Sequence, residues 1–403
     1  MGMYIVEPCR ELPVSHECDV LVCGGGIAGV AAAMAASRNG AKVMLLEREY
    51  ALGGLATLGL ITIYLPICDG KGRQVSFGIA EELLRLSVKY GPESRELTPW
   101  LTGGSTEEKI KERFLTKYNP HLYAVEMERM LVDMGVEILY GTVACQVMKK
   151  DNSITHVMVE NKSGRSAVAV KSVIDATGDA DICALAGEDT ALFGQGNVLA
   201  GWYYLFDDGE YRLVPVGASD KPDTHKTEAE LAESAKVRRY GGIDAVELSR
   251  QVQDSHRATL EDFLKRGAYD KANHAPATIA TVPQVRMTRR IAGIYTQDET
   301  EKHKVYADSV GMFSDWRKAG PVYELPFGTL HGAKVKNLIA AGRCISGTDA
   351  MWDITRVIPV CAVSGEAAGT AAALTDDFTC MDIAALQKKL RSAGVVLHES
   401  ELE

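Results

Sequence analysis

A glycine-rich turn between an apolar strand and an alanine-rich helix constrains this chain more than any other feature. Residues 18–23 are apolar and β-branched, residues 24–29 read GGGIAG and match the GxGxxG pattern, and residues 30–39 are typical of a helix. A second apolar strand over 42–46 ends at Glu47, close to the ~20-residue spacing at which an acid accepts hydrogen bonds from a ribose. These elements predict a parallel α/β sheet that binds a dinucleotide.

The motif glycines have separate mechanical tasks in such a turn. We expect Gly24 to form the tight turn, Gly26 to let a pyrophosphate approach the backbone, and Gly29 to let the helix pack closely on the strand. Ile27 and Ala28 complete the turn, where the free N–H groups and the positive dipole end of the helix would face the phosphates.

A second glycine pair follows the acid, in the segment REYALGGLAT over residues 48–57. With it the chain resembles the flavoprotein superfamily that includes glutathione reductase and fumarate reductase, in which such a pair passes close to the phosphates and ring of the flavin. The resemblance implies FAD as the cofactor. It also implies that FAD lies beside Arg48, Gly53, Gly54, Ala56 and Thr57.

Two further segments resemble the same superfamily in the expected order. Residues 173–179, VIDATGD, look like its ATG motif, a strand that ends in a turn beneath the dinucleotide. Residues 142–171 read as three short strands with turns at 150–152 and 161–164, like the small β-meander that the superfamily inserts. This resemblance implies contacts to FAD from Val143, Ala176, Thr177 and Gly178.

The carboxy-terminal segments resemble the FAD-dependent oxidoreductase family of the fumarate-reductase type. They are NLIAAGRCIS over 337–346, TRVIPVC over 355–361 and a helix of small residues over 365–373, and RMTRRIAG over 286–293 fits the same family. Pro359 suits the first turn of a helix whose N-terminus would face the N1–C2=O2 edge of the flavin. The residues so implied near the ring are Gly342, Arg343, Val357 and Ile358. We expect Gly342 to leave room for the ribityl chain of the flavin, because it has no side chain.

The order of these motifs predicts one discontinuous cofactor domain built from both ends of the chain. The expected fold class is α/β: a Rossmann-like FAD-binding domain, with a parallel sheet plus a β-meander, over 1–190 and 331–376. An inserted α+β substrate or cap domain would occupy 191–330, and 377–403 would form a C-terminal tail. Inside the insertion we expect a hairpin turning at 207–210.

Composition and charge exclude several other classes of protein. The net charge of −10 argues against nucleic-acid binding, which requires clustered Lys and Arg. Nine cysteines without a CxxC pair favour reduced thiols in a cytoplasm over disulfides, zinc or cysteine-ligated iron–sulfur sites, so no metal is expected. Residues 20–37 are uncharged, but the glycines at 24–26 break them into strand, turn and helix rather than a membrane span.

The substrate end is predicted from polar side chains that flank the cofactor motifs. Arginines of the 286–290 segment are candidates to clamp an anion, since Arg grips a carboxylate with two parallel hydrogen bonds; alternatively they pair with acids or with FAD phosphates. Other side chains beside the motifs could act as acid, base or anchor. The candidate catalytic residues are His331, Arg289, Arg286, Tyr323, Asp353 and Arg356.

Three functions remain open at this level. The first is an FAD-dependent oxidoreductase that dehydrogenates a small polar metabolite, such as a hydroxy acid, sugar or amine, by hydride transfer to flavin N5. The second is a reductase of an activated C=C bond, as in fumarate reductases. The third is a flavin-binding module for electron transfer or signalling. The expected partners are a small-molecule substrate and an unidentified electron acceptor, in a protein that could form a homo-oligomer.

Overall fold

The elements below are numbered along the chain in a computed structural model, which describes residues 5–91, 98–101, 103–111, 115–218, 220–267 and 269–402. The strands within these residues are β1 (Val14–Cys23), β2 (Val43–Leu46), β3 (Ile63–Tyr64), β4 (Thr116–Lys117), β5 (Glu137–Leu139), β6 (Val143–Lys150), β7 (Ser153–Asn161), β8 (Gly164–Asp175), β9 (Thr190–Leu192), β10 (Asn197–Val198), β11 (Ala200–Asp207), β12 (Glu210–Gly217), β13 (Arg239–Tyr240), β14 (His274–Ile279), β15 (Arg289–Ile291), β16 (Ser309–Ser314), β17 (Val322–Pro326) and β18 (Leu338–Ala340). The helices are α1 (Ile27–Arg38), α2 (Ile79–Ser87), α3 (Thr98–Leu101), α4 (Thr106–Lys111), α5 (Pro120–Asp133), α6 (Asp181–Ala186), α7 (Glu228–Ser234), α8 (Ala245–Arg266), α9 (Asp349–Thr355), α10 (Ile358–Leu374) and α11 (Ile383–Ser392).

Five strands form the parallel sheet that the sequence predicts. β1 pairs with β2 and β8, β2 pairs with β5, and β8 also pairs with β18, all in parallel. The register places Val22 beside Leu45 on one side and beside Ile174 on the other. All three side chains are fully buried, as expected for a parallel sheet covered on both faces. The predicted Rossmann-like α/β class is confirmed.

The β-meander is part of this same sheet. β6 and β7 pair in antiparallel fashion, and β7 pairs with the first half of β8. The sequence separates the third meander strand from the strand that enters the ATG motif, but the structure joins them in one strand of twelve residues, Gly164–Asp175. No turn residue interrupts that segment, so the strand continues through it. Ser172, at the expected break, is buried and donates its hydroxyl to the Thr375 carbonyl at 3.1 Å.

Helices α1 and α10 pack against each other through small residues. Cβ atoms added to Gly365 and Gly369 would overlap the backbone carbonyls of Ala28 and Ala32, so only glycine allows this approach. The small residues of the predicted helix over 365–373 therefore allow the two helices to pack tightly. The contact places the middle of α10, at Gly365, against the first turn of α1, at Ala28.

A second region contains a three-stranded antiparallel sheet, ordered β12-β11-β14, with α8 packed on it. Phe263 of α8 is buried with Tyr203, Leu205 and Val214 of the sheet. The predicted hairpin is present, because Asp207 pairs with Glu210 across the turn. The extent of the inserted domain, 191–330, remains a proposal. Strands β16 and β17 lie inside that range but share the hydrophobic core of α1 and α10.

The predicted C-terminal tail is helical and packed. Leu386 and Leu390 of α11 are fully buried in the core that contains α1 and α10. Across the described ranges no single helix is long and apolar enough to cross a membrane, although α9 and α10, bent by 90° at the break between them, would pass together by length and composition.

Candidate cofactor and substrate site

A cavity of about 450 Å³ lies at the carboxyl ends of the parallel strands. It is called the cofactor cavity here, and it is lined at the strand ends by Cys23, Leu46, Ala176 and Ala341. Ligands of open α/β sheets bind at this edge, where the loops that follow the strands converge. The predicted dinucleotide motifs therefore meet around one space.

The glycine turn shapes the wall of the cofactor cavity next to α1. Gly24 has φ +104°, and a Cβ on Gly29 would overlap the Gly24 carbonyl, in agreement with the predicted tight turn and close packing. Gly26 lines the cavity, and no heavy atom of the described residues lies within 4 Å of where its Cβ would stand. Ile27 and Ala28 also line it, and among the described residues no side chain caps the helix. The first N–H groups of α1 are thus open to an anion.

Glu47 is buried in the same wall and is held by the backbone on both sides. Its Oε2 accepts from the Gly25 N–H at 2.7 Å and its Oε1 accepts from the Glu49 N–H at 2.8 Å. Burial raises the pKa of this carboxyl above its usual range, although the two N–H donors oppose the shift. Arg48 also lines the cavity, with its own side chain largely exposed.

The second glycine pair runs alongside the first turn. The Gly53 N–H donates to the Gly25 carbonyl at 2.8 Å, and a Cβ on Gly54 would stand 3.4 Å from the Gly26 Cα. Gly53, Gly54 and Ala56 line the cofactor cavity. Thr57 lies behind it instead: its buried hydroxyl donates to the Leu52 carbonyl at 2.5 Å and closes the loop.

The ATG turn forms the opposite wall and is held by Asp175. The Asp175 carboxylate accepts from the N–H and hydroxyl of Thr177 and from the Cys183 N–H, at 2.7–3.1 Å. Ala176, Thr177 and Gly178 line the cavity. Val143, the first residue of β6, lines it too, as predicted from the meander.

The carboxy-terminal segment closes the cavity, with one difference from the expected arrangement. We predicted that Gly342 leaves room for the flavin's ribityl chain, but a Cβ there would meet the Ala28 Cβ at 2.6 Å, so this glycine makes room for α1. Its neighbour Arg343 lines the cavity and donates to Asp179 at 2.7 Å. Ile358 lines the cavity at the start of α10, where Val357 is the N-cap residue.

Three of the six candidate catalytic residues meet beside the cofactor cavity. Arg286, Asp353 and Arg356 line a small recess of about 30 Å³, and Arg356 also lines the cofactor cavity. The segment that separates the two spaces alternates, because Val285 faces the cavity whereas Gln284 and Arg286 border the recess. The recess is thus an annex of the cavity.

The two arginines of the recess differ in their partners. Arg356 donates from Nε and Nη2 to Asp353 Oδ1, at 3.0 and 2.6 Å. In the part of the chain that the structure describes, the Arg286 guanidinium has no hydrogen bond and no ion pair within 4.0 Å. Burial, together with repulsion from Arg356, lowers the pKa of Arg286 to about 10.

The other three candidates lie elsewhere, and none lines the cavity or the recess as the described residues form them. Arg289 is paired, donating to the Asp179 carbonyl at 2.9 Å and to Asp181 at 2.6 Å. His331 is buried against the Phe327 ring at 4.9 Å. Burial lowers its pKa, and its Nδ1 lies 3.1 Å from the Gly332 carbonyl oxygen. Tyr323 stacks on Phe313 and donates to the Glu299 carbonyl at 2.8 Å.

Sequence reasoning missed two residues that support the recess, one beside Arg286 and one beside Asp353. Asn197 is buried, and its Oδ1 accepts from the N–H groups of Arg286 and Met287 at 3.0 and 3.1 Å. Arg317 lies on the far side of Asp353, with its Nη1 3.5 Å from Asp353 Oδ2. No local pattern marks either residue, because both act across long sequence separations. Among the described residues no group of three or more His, Cys, Asp or Glu side chains is arranged to hold a metal ion.

Comparison with known proteins matches most of the chain to one enzyme family. A family model described as FAD dependent oxidoreductase matches residues 19–198 and 213–390. A vinyl phenol reductase from Lactiplantibacillus plantarum is 28% identical over 184 residues, which cover 40% of this chain and 37% of that protein. An L-aspartate oxidase from Mycobacterium tuberculosis is 28% identical over 193 residues, which cover 40% of this chain and 35% of that protein.

The chain therefore spans little more than a third of the length of these two curated relatives. Among solved structures, a geranylgeranyl bacteriochlorophyll reductase-like protein from Thermoplasma acidophilum aligns with 94% of this chain and 82% of its own. Its TM-score is 0.46 and its identity 13%.

Proposed function

Since this chain belongs to the FAD-dependent oxidoreductase family, we propose that it dehydrogenates a small polar metabolite such as a hydroxy acid, a sugar or an amine. FAD supplies the redox chemistry, which is the transfer of a hydride between substrate carbon and flavin N5. The observation that carries the proposal is the polar recess at Arg286, Asp353 and Arg356, which joins the cofactor cavity at Arg356.

The residues around the cavity fit the chemistry of a dinucleotide. The open helix start at Gly26, Ile27 and Ala28 would receive the pyrophosphate, since its N–H groups have no side-chain acceptor among the described residues. Glu47, already oriented by two backbone donors, would accept from the ribose hydroxyls. Arg343 and Ile358 would border the flavin end, at the N-terminus of α10.

The recess would bind the polar group of the substrate and move its proton. Of the predicted acid or base residues His331, Tyr323 and Asp353, only Asp353 lines the recess, and it is buried. Asp353 is therefore our candidate for handling a proton, with Arg356 bound to its Oδ1. We retain Val357, Thr57 and Gly342 as residues that shape the cofactor site rather than contact its contents.

The test is anaerobic titration of the FAD-loaded enzyme with a metabolite panel, followed through the visible flavin band. A substrate that the enzyme dehydrogenates bleaches the band in proportion to the amount added. A panel of hydroxy acids, sugars and amines that never bleaches it would contradict dehydrogenation.

The second candidate is reduction of an activated C=C bond, and the similarity to a vinyl phenol reductase favours keeping it. In that direction the reduced enzyme would be reoxidised by an enoate or a vinyl compound in the absence of oxygen. Reoxidation by dioxygen, a quinone or an electron-transfer protein alone would favour dehydrogenation instead. The cytoplasm, where thiols stay reduced, is the compartment we propose for either reaction, and homo-oligomerisation remains a proposal to be tested by light scattering.

A further inference from the structure

We propose that the recess is a carboxylate-binding subsite, with Arg286 as its main ligand and Arg356 as the second. This inference rests on the proposed function in one respect, because it names the substrate class of the same site. It narrows the small polar metabolites to those that carry a carboxylate and sets aside neutral sugars and simple amines.

The first support is the missing counter-charge of Arg286. Other arginines near the cofactor cavity are matched by an acid: Arg343 by Asp179, Arg289 by Asp181 and Arg356 by Asp353. Arg286 has no such partner among the described residues, although it is half-buried. A cation that is partly withdrawn from water without a counter-charge is unfavourable, and a bound anion would offset that desolvation.

The second support is that the acids bordering the recess are already occupied. Asp353 accepts from Arg356, and Arg317 lies 3.5 Å from its other oxygen. Asp220 is paired with Lys226 at 2.9 Å and is also bound by Arg239 and Gln195. Neither carboxylate comes within 4.0 Å of Arg286, so the recess retains an unmatched positive charge for a ligand.

The third support is that the backbone of Arg286 is held before any ligand binds. The Asn197 side chain accepts from the Arg286 and Met287 N–H groups and donates to the carbonyls of Met287 and Tyr240, at 2.6–3.1 Å. Gln284 donates to the Gly59 carbonyl and holds the same segment from its other end. A pre-organised arginine loses less entropy when it binds an anion.

The size of the recess limits what enters it. Its volume of about 30 Å³ exceeds the roughly 10–15 Å³ of free space that one water needs, and it is far below the 450 Å³ of the cofactor cavity. It therefore admits a terminal group of a few atoms, such as a carboxylate, and not a whole metabolite. Since Arg356 lines both spaces, a bound carboxylate would leave the adjoining carbons in the cofactor cavity, next to the flavin that this cavity would hold.

The experiment titrates the FAD-loaded enzyme with acetate and malonate, and with neutral acetamide as the matched control ligand. The visible flavin spectrum reports binding next to the ring and requires no turnover. We expect a saturable spectral change with at least one carboxylate and none with acetamide. R286Q should raise the Kd of that carboxylate about 10- to 100-fold, because a charge-assisted hydrogen bond is lost.

Two further variants make the result specific. R286K, which keeps the charge but loses the planar fork, should give an intermediate Kd. R250Q, which changes an exposed arginine 3.4 Å from Asp254 on α8, should bind carboxylates like the wild type. If R286Q does not fold, R286K serves as the test: a carboxylate Kd above that of the wild type supports the subsite, and an unchanged Kd contradicts it.

Several outcomes would overturn the carboxylate subsite. One is a carboxylate Kd in R286Q or R286K equal to that of the wild type. Others are a spectral change with acetamide as large as with the carboxylates, or no spectral change with either carboxylate. Loss of FAD from R286Q at unchanged stability would assign Arg286 to the cofactor instead. Failure of the proposed function looks different. A metabolite panel that never bleaches the flavin contradicts dehydrogenation and leaves the carboxylate titration standing, whereas a sugar that bleaches wild type and R286Q equally contradicts the subsite alone.

Discussion

At the scale of single residues, the cofactor cavity depends on groups whose backbone surroundings are already arranged. Glu47 illustrates this, since its two oxygens accept from Gly25 and Glu49 while its side chain is buried. A carboxylate held in this way presents a fixed acceptor edge to the cavity. Gly26 illustrates the complementary case, in which the absence of a side chain leaves room for a ligand.

Glu47→Gln should weaken FAD retention. The neutral amide is a weaker acceptor than a carboxylate, and a difference of about 1 kcal/mol corresponds to roughly a fivefold higher Kd. Bound FAD after exhaustive dialysis, and fluorescence titration of the FAD-free protein, both measure the effect. Glu160→Gln, on the exposed edge of the meander, is the control. Unchanged FAD content in Glu47→Gln would refute the ribose assignment.

Gly26→Ala should separate cofactor binding from folding. Gly26 has φ −66°, which alanine adopts without strain, and its Cβ would meet none of the described residues within 4 Å. We expect unfolding stability within about 1 kcal/mol of wild type, since alanine is a poorer N-cap residue than glycine but lowers the entropy of the unfolded chain. We also expect at least tenfold weaker FAD binding, because the methyl group would fill space that the pyrophosphate needs. A variant that binds FAD normally would mean that the phosphates lie elsewhere.

At the scale of elements, the pair α1 and α10 aligns the two ends of the cofactor site. Both helices begin at the cofactor cavity, and their small residues let the backbones approach until Gly369 faces the Ala32 carbonyl. Because α1 follows the first glycine turn and α10 follows the carboxy-terminal motif, this contact joins segments that are far apart in the sequence.

Gly369→Ala should destabilise the protein through this contact. Its Cβ would overlap a backbone carbonyl that cannot rotate away, and overpacking of this kind costs about 1–3 kcal/mol, which exceeds the gain in helix propensity. Urea unfolding followed by circular dichroism measures the loss. Gly194→Ala is the matched control, since the described residues leave open space around that glycine and the effect should be near zero. Equal stability of the two variants would show that α1 and α10 separate easily.

At the scale of the whole molecule, one buried carboxyl ties the core to the pH of the solution. Glu366 in α10 accepts from the Ile79 N–H at 2.8 Å and caps the start of α2. Burial raises its pKa to about 7, from 4.5 in the unfolded chain. The folded state therefore holds this proton more tightly, and the stabilisation is complete below about pH 4.5 and disappears as the pH rises through 7.

Glu366→Gln should remove this dependence. Relative to wild type, the variant should gain about 2 kcal/mol of unfolding free energy between pH 5.5 and pH 8, since only the wild type ionises there. Urea unfolding at the two pH values measures the difference. A pH-independent difference between the two proteins would indicate that Glu366 is already ionised in the folded state at pH 5.5.

Much of the cofactor site follows from local sequence. The turn at Gly24, the close packing at Gly29 and the glycine pair at 53–54 depend on backbone conformations and clearances within a few residues, and the structure has them in place. The explanation for Gly342 was wrong, because the atom that requires its missing Cβ belongs to Ala28, which is distant in the sequence. His331 and Tyr323 are adjacent to cofactor motifs in the sequence but lie outside the cavity, because tertiary packing directs the two side chains against Phe327 and Phe313.

The sequence by itself determined the parallel sheet, the FAD family and the glycines that line the cofactor cavity, since glycine geometry and helix starts are properties of short segments. Only the tertiary structure decided which arginine faces the recess. Arg286, Arg289 and Arg290 are neighbours in the chain and look alike, but long-range packing brings Asp181 to Arg289 and the Trp352 ring to Arg290. Arg286 alone of the three faces the recess, because Asn197 holds its backbone there and no acid among the described residues reaches it.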